Sequence, residues 1–254
     1  MATRIQSIER AAAILRLLSG RNRRLGVAQL SGELGLPKGT VHGILQTLAA
    51  VGFVEQDEET GKYQLGAALL HMGSSYLDGN ELRARALNWA DALAARSGES
   101  VRIGTLHEGR VLVVHHVFRP DDSRQALEVG ALQPAHATAM GKVLLAAYRY
   151  VAAELTADEL TRYTPSTLTA RDALEAELRA VTERGWADEV EELVVGECSV
   201  AAPIEDRRGV TVGAIGISGP VERLMEEGAA RTDLVSYVRE AARAVSRDLG
   251  AIPW

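Results

Sequence analysis

Apolar residues recur at helical spacing from the start of the chain. Ile5, Ile8, Ala12, Leu15 and Leu18 predict a first helix, with Ser7 placed to cap it and Gly20 to stop it. A shorter helix over Val27 to Leu34 ends at Gly35, which can take the left-handed conformation of a tight turn. Pro37 stands where a third helix can begin, because an early proline forfeits no intrahelical bond. Val41, Ile44, Leu45 and Leu48 form the buried stripe of that helix. Turning about 100° per residue from the stripe brings Gly39, His42, Gly43 and Gln46 to the opposite face, flanked by Lys38, Thr40 and Thr47. The period then changes to two. Gly52-Phe53-Val54-Glu55 and Tyr63-Gln64-Leu65 alternate like strands around a polar loop, Gln56 to Lys62, that turns at Gly61.

From Ala67 to Ser97 the pattern is helical again, in two helices broken near Gly79-Asn80. Leu82, Leu87, Ala90, Leu93 and Ala94 supply an apolar stripe, and Trp89 fits either a strut between subunits or packing within one chain. Beyond it, Val101 to Leu106 and Val111 to Val114 predict a hairpin closed by Glu108-Gly109-Arg110. Ser199 to Ile204 and Val210 to Ile217 predict another, turning at Asp206-Arg207-Arg208-Gly209. Helices fit Thr138 to Ala147, Ala170 to Arg184 and Thr232 to Leu249, so this part is α+β.

A helix-turn-helix followed at once by a hairpin is the winged variant. The polar, glycine-containing face of its second helix suits entry into the major groove. There Gln46 can read an adenine edge and Lys38 can meet a phosphate. The wing loop, Asp57-Glu58-Glu59, is acidic, which leaves Lys62 as its phosphate contact. Charge changes the picture only in its distribution. Residues 1–50 carry Arg4, Arg10, Arg16, Arg21, Arg23, Arg24 and Lys38 against Glu9 and Glu33, so that +5 there faces −11 elsewhere within a net −6. An uneven but solvated surface accounts for the asymmetry equally well. The 46% hydrophobic and 24% charged content is that of a globular protein, and the one cysteine, Cys198, has no internal disulfide partner. With no apolar run of spanning length and no signal-peptide pattern after Met1, a cytoplasmic protein without membrane partners is expected.

Longer motifs carry a resemblance. Gln6-Ser7-Ile8-Glu9-Arg10-Ala11, Leu34-Gly35-Leu36-Pro37-Lys38-Gly39-Thr40-Val41-His42 and Gly61-Lys62-Tyr63-Gln64-Leu65-Gly66 are followed by His136-Ala137-Thr138-Ala139-Met140-Gly141-Lys142. Glu191-Glu192, Val200-Ala201-Ala202-Pro203-Ile204 and Ser218-Gly219-Pro220 complete the set. In this order they resemble the IclR family of transcriptional regulators over nearly the whole chain. The glycerol-operon branch of that family is resembled through Glu81 to Leu87, His115 to Gln125 and Ala244 to Gly250. The resemblance implies a winged helix-turn-helix over residues 1–66, linker helices over 67–98 and a GAF/PAS-like effector-binding domain over 99–254. It implies a homodimer or dimer of dimers on double-stranded operator DNA, repression of a glycerol catabolic operon and release by glycerol 3-phosphate. An IclR-type regulator of another pathway sensing a small carboxylic acid is the alternative. Gly43 departs from the arginine that many members carry there, so their operators do not transfer to this chain.

By the same resemblance the effector pocket maps onto Asp122, Gln125, Ala139, Met140, Glu189, Ser199, Gly216 and Ser218, with Arg124 the candidate cation for a phosphate. Ala139 and Met140 fall in the first turn of a predicted helix, whose free N–H groups favour an anion, while capping or surface roles explain the polar residues singly as well. No cofactor, metal site or catalytic residue is expected. His115 and His116 sit on a strand and point to opposite faces, His136 reads as a helix-start residue, and Cys198 has no histidine beside it. Gly213, Gly216 and Gly219 lack the dinucleotide-binding spacing, and Glu191-Glu192 has no nucleophile or metal motif beside it. Two rival classes remain, a small-molecule enzyme on a sensor-like domain and a helix-turn-helix used only for protein contact. Turnover of a phosphorylated polyol marks the first, and absence of salt-dependent duplex binding marks the second.

Overall fold

The computed structural model describes residues 5–20, 24–121, 123–156 and 159–251, and they group into two compact units, Met1–Gly79 and Asn80–Trp254. In the first, α1 (Gln6–Leu18), α2 (Val27–Leu34) and α3 (Lys38–Ala50) precede the hairpin β1 (Val54–Gln56) and β2 (Tyr63–Leu65), and α4 (Ala67–Asp78) closes the unit. Ser7 does not cap α1. It lies inside the helix, and the cap position falls on Ile5, which offers no side-chain bond. The buried stripe also turns relative to the predicted ladder. Ile14 and Leu18 enter the core, whereas Ile5 and Ile8 are 61% and 63% exposed. Only the part of α1 from Ala11 onward meets the core of Leu30, Val41, Leu45, Leu48, Val54 and Tyr63, and its first turn stays exposed.

Between α2 and α3 the chain reverses at Gly35, whose φ of 62° is left-handed. The Ser31 hydroxyl donates to the Leu36 carbonyl at 2.6 Å and pins the turn. Along α3, Val41, Leu45 and Leu48 are buried as the 3.6 period requires, and Ile44 is half-buried. The wing carries one pairing that its sequence did not announce. Leu25 bridges antiparallel to Tyr63, widening the hairpin.

In the second unit α5 (Glu81–Ser97) leads into β3 (Ser100–His107), β4 (Arg110–Val117) and β5 (Leu132–Pro134). A 3₁₀ turn over Ala135–Ala137 precedes α6 (Ala139–Ala147), α7 (Arg149–Glu154), α8 (Arg171–Arg184), β6 (Ala187–Val190), β7 (Glu197–Glu205) and β8 (Thr211–Pro220). The short α9 (Val221–Leu224), β9 (Met225–Glu226) and β10 (Ala229–Ala230) lead to α10 (Thr232–Asp248). The sheet is antiparallel in the order β5-β4-β3-β8-β7-β6. Alternation along each strand gives it two buried faces. Val111, Val113, Ala201 and Ala214 pack with α6 and α8, while α5 and α10 pack together and against the sheet. This is the α+β, GAF/PAS-like layout expected. The two predicted linker helices part company, α4 falling in the first unit and α5 in the second. Trp89 is engaged within its own chain, where its indole N–H donates to Asp248 at 2.8 Å.

Candidate DNA-reading helix and effector pocket

The face of α3 opposite its buried stripe is open. Lys38, Gly39, His42, Gly43, Gln46 and Thr47 are exposed and Thr40 is half-buried. The Thr47 hydroxyl donates to the Gly43 carbonyl at 3.0 Å, which leaves its oxygen as an acceptor. A Cβ on Gly39 or Gly43 would meet nothing within 4 Å, so the fold itself requires glycine at neither position. Each costs the helix about 1 kcal/mol relative to alanine. Lys62 is exposed on the wing. Asp57 is turned inward to hold that wing, accepting from the Thr60 N–H and hydroxyl at 2.8 and 2.7 Å and pairing with Arg24 at 2.9 Å. These hydrogen bonds from Thr60, with Arg24 beside them, hold its carboxyl below the usual range. Part of the basic surplus read from residues 1–50 is thus spent inside the wing; Arg4, Arg21 and Arg23 lie outside the described residues.

In the second unit a cavity of about 110 Å³ opens between α6 and the sheet. Met140, Glu189, Ser199, Gly216 and Ser218 all line it. Ala139 does not. It is fully buried in the apolar cluster, and Thr138, one residue earlier, supplies the polar edge, its hydroxyl accepting from the Gly141 N–H at 3.2 Å. Gly216 is held small by its neighbours, since a Cβ there would lie 2.7 Å from the Val200 carbonyl. Arg124 is exposed and outside the cavity lining. Gln125 is also outside it, with its amide spanning the Arg119 N–H and carbonyl at 2.7 and 2.9 Å. Asp122 lies outside the described residues.

The cation facing the cavity is Arg102, which the sequence reading passed over. Its Nε and Nη2 grip Glu128 at 2.9 Å each, and its Nη1 donates to Ser100 and Ser218. The available signal was alternation. Arg102 is a charge set between Val101 and Ile103 in a central strand, where burial demands a partner. On the far wall the Glu189 carboxylate accepts from Ser199 and from the Glu192 N–H, both at 3.0 Å. Burial outweighs those bonds and pushes Glu189 up to about 7. At neutral pH this group can therefore donate as well as accept a hydrogen bond.

Behind the cavity, buried Lys142 donates to the Asp188 carbonyl at 3.0 Å and pairs with Glu192. Thr164 and Thr167 hold the Glu191 and Glu192 carbonyls at 2.5 and 2.6 Å. Glu191 itself takes a left-handed φ of 55°, fixed by its N–H to Glu197 at 2.8 Å. The Glu191-Glu192 motif is thus a loop anchor that presents an N–H to Glu189. His136 is buried in the 3₁₀ turn, with Nε2 3.0 Å from the Thr161 carbonyl. Burial depresses His116 to about 4, and burial raises Cys198 to about 12, which keeps both neutral. Among the described residues no cluster of His, Cys, Asp and Glu could hold a metal ion, and no helix is long and apolar enough to cross a membrane.

A winged helix-turn-helix with an open polar recognition face and an α+β sensor with a small polar cavity together define a DNA-binding transcriptional regulator with a small-molecule effector domain. The chain belongs to the IclR family: residues 7–58 match the IclR helix-turn-helix domain, and residues 74–247 match the C-terminal domain of bacterial IclR transcriptional regulators. It is 57% identical to a glycerol operon regulatory protein of Streptomyces coelicolor over 251 residues, 99% of each chain. The glycerol operon regulatory protein of Streptomyces griseus is 56% identical over the same share of both. A solved IclR transcriptional regulator from Alicyclobacillus acidocaldarius superimposes with a TM-score of 0.80 at 26% identity, covering 98% of this chain and all of that one.

Proposed function

We propose that this protein represses a glycerol catabolic operon in the cytoplasm and is released from its operator by glycerol 3-phosphate. The observation that carries this reading is the end-to-end identity with the two Streptomyces glycerol operon regulatory proteins. The cavity agrees in size and chemistry, since about 110 Å³ suits a small metabolite rather than a drug-sized one. Arg102 faces the phosphate, and Glu189, Ser199 and Ser218 face the hydroxyls. A small carboxylate is the second reading, favoured by the carboxylate that Arg102 already grips. Release requires that ligand and operator disfavour one another, and linkage makes the penalty mutual. Titration of glycerol 3-phosphate with and without operator duplex is expected to show the ligand bound more weakly on DNA. Equal affinity in the two titrations would remove the induction mechanism, and steady turnover of the ligand would replace the regulator reading with an enzymatic one.

On DNA, Gln46 reads bases, Lys38 and Lys62 meet phosphates, and Gly39 and Gly43 let the α3 backbone approach, with Thr40, His42 and Thr47 around them. Gly43→Ala therefore has two expected signs. It stabilises the first unit by about 0.5–1 kcal/mol in denaturant titrations and weakens operator binding in fluorescence anisotropy. A variant that is more stable and binds as well as wild type would take α3 out of the groove.

One recognition helix contacts few bases, so the reading calls for a homodimer, or a dimer of dimers, on a pseudo-palindromic site. The face for a second copy is α4, which buries none of its 12 residues and exposes Leu70, Met72 and Tyr76 at 76%, 55% and 57%. Leu70→Glu is expected to yield monomers in sedimentation equilibrium at concentrations where wild type is dimeric. An unchanged dimer would mean that another surface joins the subunits.

A further inference from the structure

The Arg102–Glu128 pair is an unusual occupant for a ligand cavity. Arg102 is 16% exposed and Glu128 25%, and both line the space. The guanidinium fork is filled by a carboxylate, with two parallel N–H bonds of 2.9 Å, the geometry that arginine offers to any carboxylate or phosphate. Arg102 is held in place independently of Glu128, because Nη1 is anchored on Ser100 and Ser218, the facing residues of β3 and β8. Glu128 is supported differently. It sits between β4 and β5, where residues 123–131 form no regular element, Gly130 turns at φ 85° and Leu127 is 67% exposed. Besides Arg102 it is tied by the Gln133 amide at 2.8 Å, by its own N–H to His116 at 3.3 Å and by its carbonyl, which accepts from the Ala131 N–H at 2.8 Å.

Charge gives the pair a direction. A doubly negative phosphate entering this cavity would meet Arg102 alone against the carboxylates of Glu128, Glu197 and Glu189. If Glu128 leaves, the phosphate gains the fork and loses its nearest like charge. We propose that Arg102 is the oxyanion anchor of the pocket and that Glu128 occupies it as an internal surrogate, displaced when a ligand phosphate or carboxylate takes the fork. This rests on the effector pocket assigned above and adds its regulation. The ligand signals by releasing the 123–131 segment rather than by clamping it.

Glu128→Gln and Arg102→Lys in the full chain test the exchange by calorimetric titration with glycerol 3-phosphate and, separately, inorganic phosphate. Glutamine keeps the shape of Glu128 but removes its charge and leaves one acceptor where the fork held two, so both probes are expected to bind about tenfold tighter. Lysine keeps the charge but loses the fork, so both are expected to weaken about tenfold. Amide hydrogen exchange of residues 121–129 is expected to speed up in wild type on adding glycerol 3-phosphate. An ordinary structural ion pair predicts the opposite, a Glu128→Gln protein that binds no better or worse and a segment protected by ligand, and either result overturns the exchange. If wild type ignores glycerol 3-phosphate while Glu128→Gln still gains on inorganic phosphate, the exchange stands and the glycerol reading falls. If no variant binds either oxyanion, both fall.

Discussion

Lys142→Met is expected to destabilise the effector domain by about 3–5 kcal/mol, because it strips the partner from a buried carboxylate. Lys142 is 2% exposed and Glu192 7%, so both charges sit out of water. Burial already raises Glu192 above the usual carboxylate range, with Lys142 pulling it back. Without the lysine, Glu192 would take a proton in the folded protein at a pH where the unfolded chain has lost it. A folded pKa above the unfolded one means that stability falls as pH rises from the ordinary value of 4.5. The loss caused by Lys142→Met should therefore be larger at pH 8 than at pH 5. Adding Glu192→Gln is expected to recover much of it, since the leftover charge and not the missing contact is the main cost. Urea titrations at the two pH values measure both effects. A pH-independent loss below 1 kcal/mol would mean that solvent reaches Glu192. The same variant is expected to loosen the effector site, because the N–H that orients Glu189 belongs to Glu192.

Leu45→Ala carries the second large effect, on the other unit. Leu45 is fully buried at the centre of the core shared by α1, α2, α3 and the wing, and such truncations cost about 2–5 kcal/mol. A core this small rarely supplies more than about 3–5 kcal/mol in total, so the helix-turn-helix is expected to unfold near room temperature. Because the units have separate cores, the effector domain should keep its own transition and its ligand. Calorimetric scanning is expected to lose the transition of the first unit, with operator binding lost and glycerol 3-phosphate binding retained. Loss of both transitions together would mean that the units fold as one.

Both substitutions turn on burial, but only one could be chosen from the sequence. Leu45 belongs to the Val41–Leu48 stripe, a local period that any helix of this composition must obey. The same locality made the ends of α2, the turn at Gly35 and the polar face of α3 legible, because each depends on residues within a turn or two. The motif order made the family and its two-part architecture legible as well. Legibility faded where local patterns had equivalent alternatives. The ladder through Ile5 and Ile8 has the right spacing, yet the core reaches only the part of α1 that holds Ile14. The edge strands β5 and β6, three and four residues long, carry too little pattern to stand out.

The pocket shows the division most clearly. Met140, Glu189, Ser199, Gly216 and Ser218 could be named from motifs, but not the charge that organises them. Arg102 finds Glu128 across 26 residues, and Lys142 finds Glu192 across 50. Nothing in the intervening text fixes those meetings. Lys142 could equally have been a solvated residue of an amphipathic helix, and Arg124 a better phosphate ligand than Arg102. The choice was made by the antiparallel pairing of β3 with β4 and β8, and by the packing of α6 on the sheet beside β6. These contacts decide which charges lose water and must therefore find one another. The sequence by itself determined the longer helices and the central strands, which face of α3 is polar and which family the chain joins. Tertiary structure alone decided which ionisable groups are buried together, because desolvation is a property of the assembled core and not of any local stretch of chain.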